Sequence, residues 1–297
     1  MRVVDPKTTK TKDFHQYMLG AVAPRPIAFA STVDKDGVPN LAPYSFFNAF
    51  SSNPPILVFS SNRRVADNTT KDTLHNIEET GEVVINVVNH AIVRQMTVAS
   101  ISFPTGVSEF AKAGLTPLAS DLVKPFRVKE SPVQMECKVK EILTLGNKGG
   151  AGHLIICDVV RMHIDEHVLD GDRIDPHKID LMGRMGRAYY VRASGSAIQT
   201  IVQSVMDISI GFDQLPESIR NSTVLTGNNL GQLAGLLALP SAEEVEAVKS
   251  DERVAAILES DAVEEGLHQF AKDCLDDGDQ RDLAIRVLMW GDKHVAS

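Results

Sequence analysis

Three cysteines are too few and too scattered to staple this chain of 297 residues. Cys137, Cys157 and Cys274 form no CxxC pair and no even-numbered framework. Disulfides are therefore not expected, and a reducing cytoplasm fits. Long apolar runs are missing too: no stretch approaches the roughly 18 consecutive apolar residues of a membrane helix. The opening MRVVDPKTTKTKDF carries no apolar run behind its charges, so no signal peptide is expected. Positive charge is short as well. A net charge of −9 argues against nucleic acid as a general partner, although a local basic pocket is still allowed. Familiar catalytic signatures are also absent. NKGGAG is glycine-rich but does not lead from a strand into a helix, so a Rossmann site is not expected. HExxH does not occur, and ASGSA only approximates the GxSxG of a serine hydrolase.

With 43% hydrophobic and 23% charged residues, the composition is that of a globular protein able to bury a large core. The length allows one large domain or two modest ones. The stretch Ala23–Asn86 organises the first part. It holds three apolar runs, Ile27–Thr32, Ile56–Ser60 and Val83–Val88, separated by polar, turn-rich connections.

The chain reads in order as follows. DFHQYMLG is a short amphipathic piece, expected as a brief helix. Ala21–Thr32 is a strand candidate interrupted by Pro24-Arg25-Pro26, where the prolines hold the backbone extended and demand an edge or strand entry. Asp34–Gly37 is a turn and Val38–Tyr44 the returning strand of a hairpin. Ser51–Pro55 is a second turn, followed by the buried strand ILVFSS. DNTTKDTLHNIEETG reads as a helix with Thr70 or Asp72 as N-cap and Gly81 as stop. VVINVV is a further strand, AIVRQMTVAS a helix and ISFPTGVSEF a loop. VKESPVQMECKVKEILTLG reads as a strand pair, HLIICDVVRMHID as one long strand, and RIDPHKIDLMGRMGRAYYVR as a loop with a short final strand.

Past Ser194 strand signals give way to helix signals. Ser241 with Glu244 forms a capping box, and further helix starts are expected at Ser250, Ser260 and Asp279, with Gly291 as a stop. From Ser241 onward acidic residues exceed basic ones by about the whole net charge. The expected division is therefore 1–194 and 195–297, the latter an acidic helical extension.

The connections of the opening stretch have the chemistry of an anion cradle. Ser60, Ser61, Asn62, Arg63 and Arg64 follow one strand, and Lys71, Asp72 and Thr73 stand at a helix start, whose N-terminus is itself positive. Leu41-Ala42-Pro43-Tyr44-Ser45 offers a wall for a flat ring system. The alternative is a solvated loop with surface Arg and Lys, and composition alone leaves both open. His163 and His167 stand at i, i+4, but on a strand that spacing is about 13 Å, so a solvated surface is expected rather than a metal site. The cysteines read as core. Val254, Ile257 and Leu258 share one helix face suited to packing.

NLAPYSFFNAFSSNPPILVFS followed by KDTLHNIEETGEVVINVV resembles the flavin reductase-like, FMN-binding split-barrel family, in its flavoredoxin-like branch. AKAGLTPLAS, VKESPVQMECKV, GHLIICDVVRMHI and RIDPHKIDLMGRMGRAYY continue the resemblance in the same order, over roughly residues 15–193. It implies a mainly β protein, a homodimeric six-stranded antiparallel split barrel with helices packed around it, plus the C-terminal helices, to which the resemblance does not extend. It implies bound FMN, with Asn40, Leu41, Ala42, Pro43, Tyr44, Ser45 and Phe46 along the isoalloxazine. Ser60 and Ser61 would lie toward the ribityl phosphate, and Lys71, Asp72 and Thr73 would hold that tail. Arg25 would be a further phosphate or flavin-edge contact, while His153 and Tyr190 would approach the flavin face or the dimer mate. The implied activity is NAD(P)H-dependent flavin reduction, with NAD(P)H binding transiently and no side-chain acid or base required. The rivals are an oxygenase or electron-transfer flavoprotein with tightly held FMN, and a non-catalytic flavin-binding module.

Overall fold

The computed structural model describes residues 1–104, 106–201, 207–277 and 280–295. The chain divides into two compact units, Met1–Gln199 and Thr200–Ser297. No helix among the described residues is long and apolar enough to cross a membrane.

The first unit opens with α1 (Thr11–Ala21), then β1 (Ala28–Val33), β2 (Pro39–Tyr44), β3 (Phe47–Ser52) and β4 (Pro55–Asn62). There follow α2 (Asp72–Thr80), β5 (Glu82–Val87), α3 (Val93–Ala99), α4 (Glu109–Ala113), β6 (Pro117–Leu118) and β7 (Arg127–Val128). The long hairpin β8 (Val133–Thr144) and β9 (Gly152–Ile164) comes next, then β10 (Leu169–Asp170), β11 (Arg173–Ile174), α5 (Pro176–Ile179), β12 (Met182–Arg184) and β13 (Tyr190–Arg192).

Seven strands form one sheet in the order β2-β1-β5-β8-β9-β4-β3, and each of its pairings is antiparallel. The two edge strands, β2 and β3, are consecutive in the chain. Tyr44 and Phe47 are three residues apart, which extended chain spans in about 11 Å at most. The sheet therefore curls until its edges meet, and the Ser60 amide of β4 donates to Phe46 O across the seam at 2.8 Å. The mainly β barrel anticipated from sequence is present, with seven strands in the sheet rather than six.

Strand β1 is buried on both faces, so its alternation sorts residues between two cores rather than between core and water. Ala28 and Ala30 join Leu57, Phe59, Ile85 and Ile155 in one cluster. Phe29 turns the other way, into a cluster with Leu41, Val88, Met96 and Phe110 beneath α3 and α4. Burying a side chain of the size of Phe29 or Phe59 contributes about 1.5–3 kcal/mol.

Several local expectations change. The strand expected over Ala21–Thr32 begins only at Ala28, because α1 runs to Ala21 and the Pro24-Arg25-Pro26 segment keeps a single bridge, Arg25 to Arg184. The N-cap of α2 is Lys71, not Thr70 or Asp72. Thr70 Oγ1 is turned to the His75 ring instead, at 2.7 Å, and Asp72 sits inside the first turn. Gly81 ends α2 with φ 68°, a left-handed conformation that favours glycine. The strand pair expected in Val128–Gly146 is the two-residue β7 and one long β8. Register shifts at Glu136/Cys137 and Val139/Glu141 break the alternation of β8 without ending it. His163 is not a solvated surface residue: its Nε2 lies 2.7 Å from Oε1 of the fully buried Glu136. All three cysteines are free and buried.

The second unit holds α6 (Glu217–Arg220), α7 (Gly227–Ala234), α8 (Ala242–Glu246), α9 (Glu252–Leu258), α10 (Val263–Asp276) and α11 (Arg281–His294). The Ser241/Glu244 capping box is formed, and Thr226/Asn229 makes a second on α7. Ser250 is not a cap: Asp251 caps α9 by accepting from the Arg253 amide. Nor is Ser260, since α10 starts from Ala262, and Asp279 lies outside the described residues. Gly291 does not stop α11, which runs on to His294. A Cβ there would lie 3.2 Å from Leu267 Cδ1, so the glycine serves the close approach of α10.

Candidate functional site

A cavity of about 270 Å³ opens at the barrel seam, lined by residues from four places in the chain. The β2–β3 connection supplies Pro43, Tyr44, Ser45 and Phe46. Strand β4 supplies Ser60 and Asn62, the α2 cap Lys71, and α1 with the strand entry His15, Leu19, Arg25 and Arg184's neighbourhood on β12. The lining contains cations and a histidine but no carboxylate, in a chain of net charge −9.

The floor is built by local sequence. Tyr44 is buried, with its ring 5.2 Å from Phe59, and burial pushes its phenol up to about 12. Its hydroxyl faces Thr73 and Ser61 without closing a hydrogen bond of good geometry. Ser61 Oγ is likewise buried and unpartnered. Lys71 Nζ lies 4.7 Å over the Tyr44 ring. Burial, then the nearby Arg64, draw the Lys71 ammonium below its usual value. No side chain caps α2, so the leading amides of that helix are left for a ligand or solvent.

On the β4 side, Ser60 Oγ donates to Asn62 Oδ1 at 2.8 Å, and Asn62 reaches Gly150 O at 3.3 Å. Gly152 stands opposite Asn62 on β9. A Cβ at Gly152 would lie 2.7 Å from Ser60 Oγ and 3.3 Å from Asn62 Oδ1, so only glycine leaves these two polar groups where they are.

Arg25 is buried and acts as a latch. Its Nη1 donates to Leu19 O at 2.9 Å and to Val22 O, its Nη2 to Met185 O at 3.1 Å, and its Nε to Ser45 Oγ at 3.4 Å. Burial, then Arg184, lower its pKa. Arg184 presents a guanidinium stacked 4.6 Å from the Tyr190 ring, with Nη1 donating to Tyr189 O at 3.1 Å.

Of the residues singled out from sequence, the cavity brings together Arg25, Pro43, Tyr44, Ser45, Phe46, Ser60 and Lys71. The others stand behind them. Asn40 Nδ2 donates to Thr73 Oγ1 at 2.8 Å, joining β2 to α2. Leu41 is fully buried in the outer core, and its amide donates to Glu109 Oε2 at 3.1 Å. Ala42 packs on the inner core, and Asp72 occupies the first turn of α2. His153 is buried opposite Ser61, with Nδ1 3.1 Å from Thr144 Oγ1. Tyr190 supports Arg184 from β13. The sequence reading did not anticipate His15, Leu19 or Arg184, and counted Asn62 only among the polar residues after β4. The one signal for Arg184 was its place in GRMGRAYY.

The lining fits a flat anionic ligand: an aromatic and proline wall, hydroxyl and amide groups, uncompensated cations and a glycine that keeps the polar side open. The profile of the family described as "Flavin reductase like domain" matches residues 19–181. An uncharacterized protein of Aquifex aeolicus is 38% identical over 190 residues, covering 64% of this chain and 94% of its own length. Among solved structures, nitrilotriacetate monooxygenase component B from Bacillus cereus is 32% identical with a TM-score of 0.63, over 67% of this chain and 98% of its own. Pseudomonas fluorescens 2-nitrobenzoate 2-nitroreductase is 25% identical with a TM-score of 0.60, over 69% and 98%.

Proposed function

Because the chain belongs to the flavin reductase like family, a family of flavin-related oxidoreductases, we propose that its seam cavity binds FMN and that the protein is an NAD(P)H-dependent flavin reductase. The observation that carries this reading is the carboxylate-free cavity in which Lys71, Arg25 and Arg184 converge on an aromatic wall. FMN, when bound, supplies acceptance of hydride at its N5 from the nicotinamide and delivery of electrons to an acceptor.

The chain's own residues bind and orient. Lys71 and the uncapped start of α2 take the phosphate, helped by Ser60 and Asn62. Pro43, Tyr44, Ser45 and Phe46 form the wall for the ring system and exclude water from one side. Arg25 fixes that wall by tying Ser45 to the ends of α1 and β12. The fold needs no side-chain proton donor for this task. The same reading includes a homodimer and a cytoplasmic location, the latter in keeping with three unpaired thiols.

A titration separates the phosphate from the ring. Lys71→Met should weaken FMN binding by about tenfold to a hundredfold, the loss of a charge-assisted hydrogen bond worth about 1.5–3 kcal/mol, and leave riboflavin affinity unchanged. Fluorescence quenching reads both. A wild-type protein that quenches neither flavin would sink the proposal. With FMN loaded, NADH or NADPH oxidation followed at the nicotinamide band tests the reductase activity, and sedimentation tests the dimer.

A further inference from the structure

The cations around the cavity form two foci, while a monophosphate needs one. Lys71 stands beside Arg64, whose Nη1 is held by Thr69 and Thr70 in the turn before α2. Arg25 stands beside Arg184, to which it is joined by a two-way backbone bridge of 3.0 and 2.8 Å. Within the second focus the two guanidinium groups differ. Arg25 spends its donors on Leu19, Val22 and Met185 carbonyls. Arg184 spends one, on Tyr189 O, and among the described residues no ion pair to it is formed.

The turn that carries Arg184 is fixed and charged. Met185 and Tyr189 close it by an amide-to-carbonyl bond of 3.0 Å. Gly186 presses so closely on the end of α1 that a Cβ would lie 3.2 Å from Gly20 Cα. Arg187 at its tip holds a left-handed φ of 54° and is exposed, and Tyr189 beside it is 67% exposed. A planar guanidinium immobilised by stacking, with donors to spare, suits bidentate binding of a phosphate group. An exposed ring on the same turn suits a base.

We propose that Arg184, with Arg187 and Tyr189 on its turn, is the subsite for the diphosphate of a dinucleotide, separate from the Lys71 focus. This rests on the reading that the cavity binds flavin. Two ligands carry the group: the nicotinamide dinucleotide, and FAD taken in place of FMN.

The test uses the full chain with ADP-ribose as the probe, by calorimetry on flavin-free and FMN-saturated protein, alongside FMN and FAD titrations. Arg184→Gln should weaken ADP-ribose by about tenfold or more and leave FMN within about twofold, with Arg184→Lys recovering part of the loss. Arg187→Gln, exposed and safe for folding, should weaken the same probe by about twofold to fivefold. Loss confined to FAD, with ADP-ribose unchanged, supports the subsite and assigns the diphosphate to the flavin. Equal losses for FMN and ADP-ribose, or no loss for any probe, overturn the proposal. A wild-type protein that binds ADP-ribose but no flavin sinks the flavin reading and leaves the subsite standing. One that binds flavin but not ADP-ribose, with FAD no tighter than FMN, sinks the subsite alone.

Discussion

Gly152 shows how one missing methyl group shapes the cavity. Its backbone is not in the left-handed region, so conformation does not require glycine there; space does. A Cβ 2.7 Å from Ser60 Oγ must displace that hydroxyl and with it the Ser60–Asn62 bond. Gly152→Ala is therefore expected to cost about 1–3 kcal/mol of stability through overpacking. It should also lower FMN affinity by about tenfold, since Ser60 and Asn62 line the cavity. A thermal melt and a fluorescence titration on the same sample check both; unchanged values in each would remove Gly152 from the site. The residues legible in the sequence were those the chain itself concentrates, Pro43 through Phe46 with Ser60 and Lys71. Arg184 and His15 were not legible as site residues, because only the closure of the barrel brings β12 and α1 against residues some 30 to 140 positions away in the chain.

Elements are held by contacts that their own periodicity does not announce. Glu136 interrupts the apolar alternation of β8, yet it is fully buried. Its carboxylate accepts from the Asp121 and Leu122 amides at 2.9 and 2.6 Å and from the His163 ring at 2.7 Å, pinning the segment that leads into β7. Burial pushes its pKa up, but these hydrogen bonds and the His163 charge outweigh it, and the net shift is downward. A carboxylate depressed in the folded state adds stability above its unfolded pKa of about 4.3, and that stability is lost as pH falls through the folded value. Wild type should thus exceed Glu136→Gln by about 1–3 kcal/mol near neutrality, with the gap closing below about pH 4. Denaturant melts across pH measure it; a gap constant with pH would refute the role. Two helical glycines give opposite expectations. Gly231 in α7 has nothing within 4 Å of its would-be Cβ, so Gly231→Ala should raise stability by about 0.5–1 kcal/mol. Gly266 in α10 would bring a Cβ to 2.8 Å from Ile257 Cγ2, a stiff branched methyl. The clash, about 1–3 kcal/mol, exceeds the propensity gain, and Gly266→Ala should lower the melting temperature. The sequence read Gly81 correctly as a helix stop and Gly291 wrongly, because a glycine demanded by a neighbouring helix looks the same in one dimension as one demanded by φ. Strand β3 was passed over for a related reason: as an exposed edge it carries no buried alternation to read.

At the scale of the molecule, the helical part carries the charge and the barrel carries the chemistry. From Ser241 onward the acidic surplus matches the entire net charge of −9, which leaves the remainder nearly neutral. The first unit has two hydrophobic cores of its own, and the second has two others. The solved structures it resembles are covered for 98% of their length by about two thirds of this chain. Every residue of the seam cavity lies before Gln199. Residues 1–199 expressed alone should therefore fold, show a β-rich circular dichroism spectrum and bind FMN within about threefold of the full chain, a difference under about 0.7 kcal/mol. The fragment should also be less acidic, as isoelectric focusing would show. If it folds but loses FMN affinity by about tenfold or more, the helices contribute to the site, and a role for them as a cover or clamp becomes the working account. If affinity is kept, they serve another partner, and their surplus of negative charge makes a basic surface the first to test, by salt-dependent retention on a cationic resin with the full chain against the fragment.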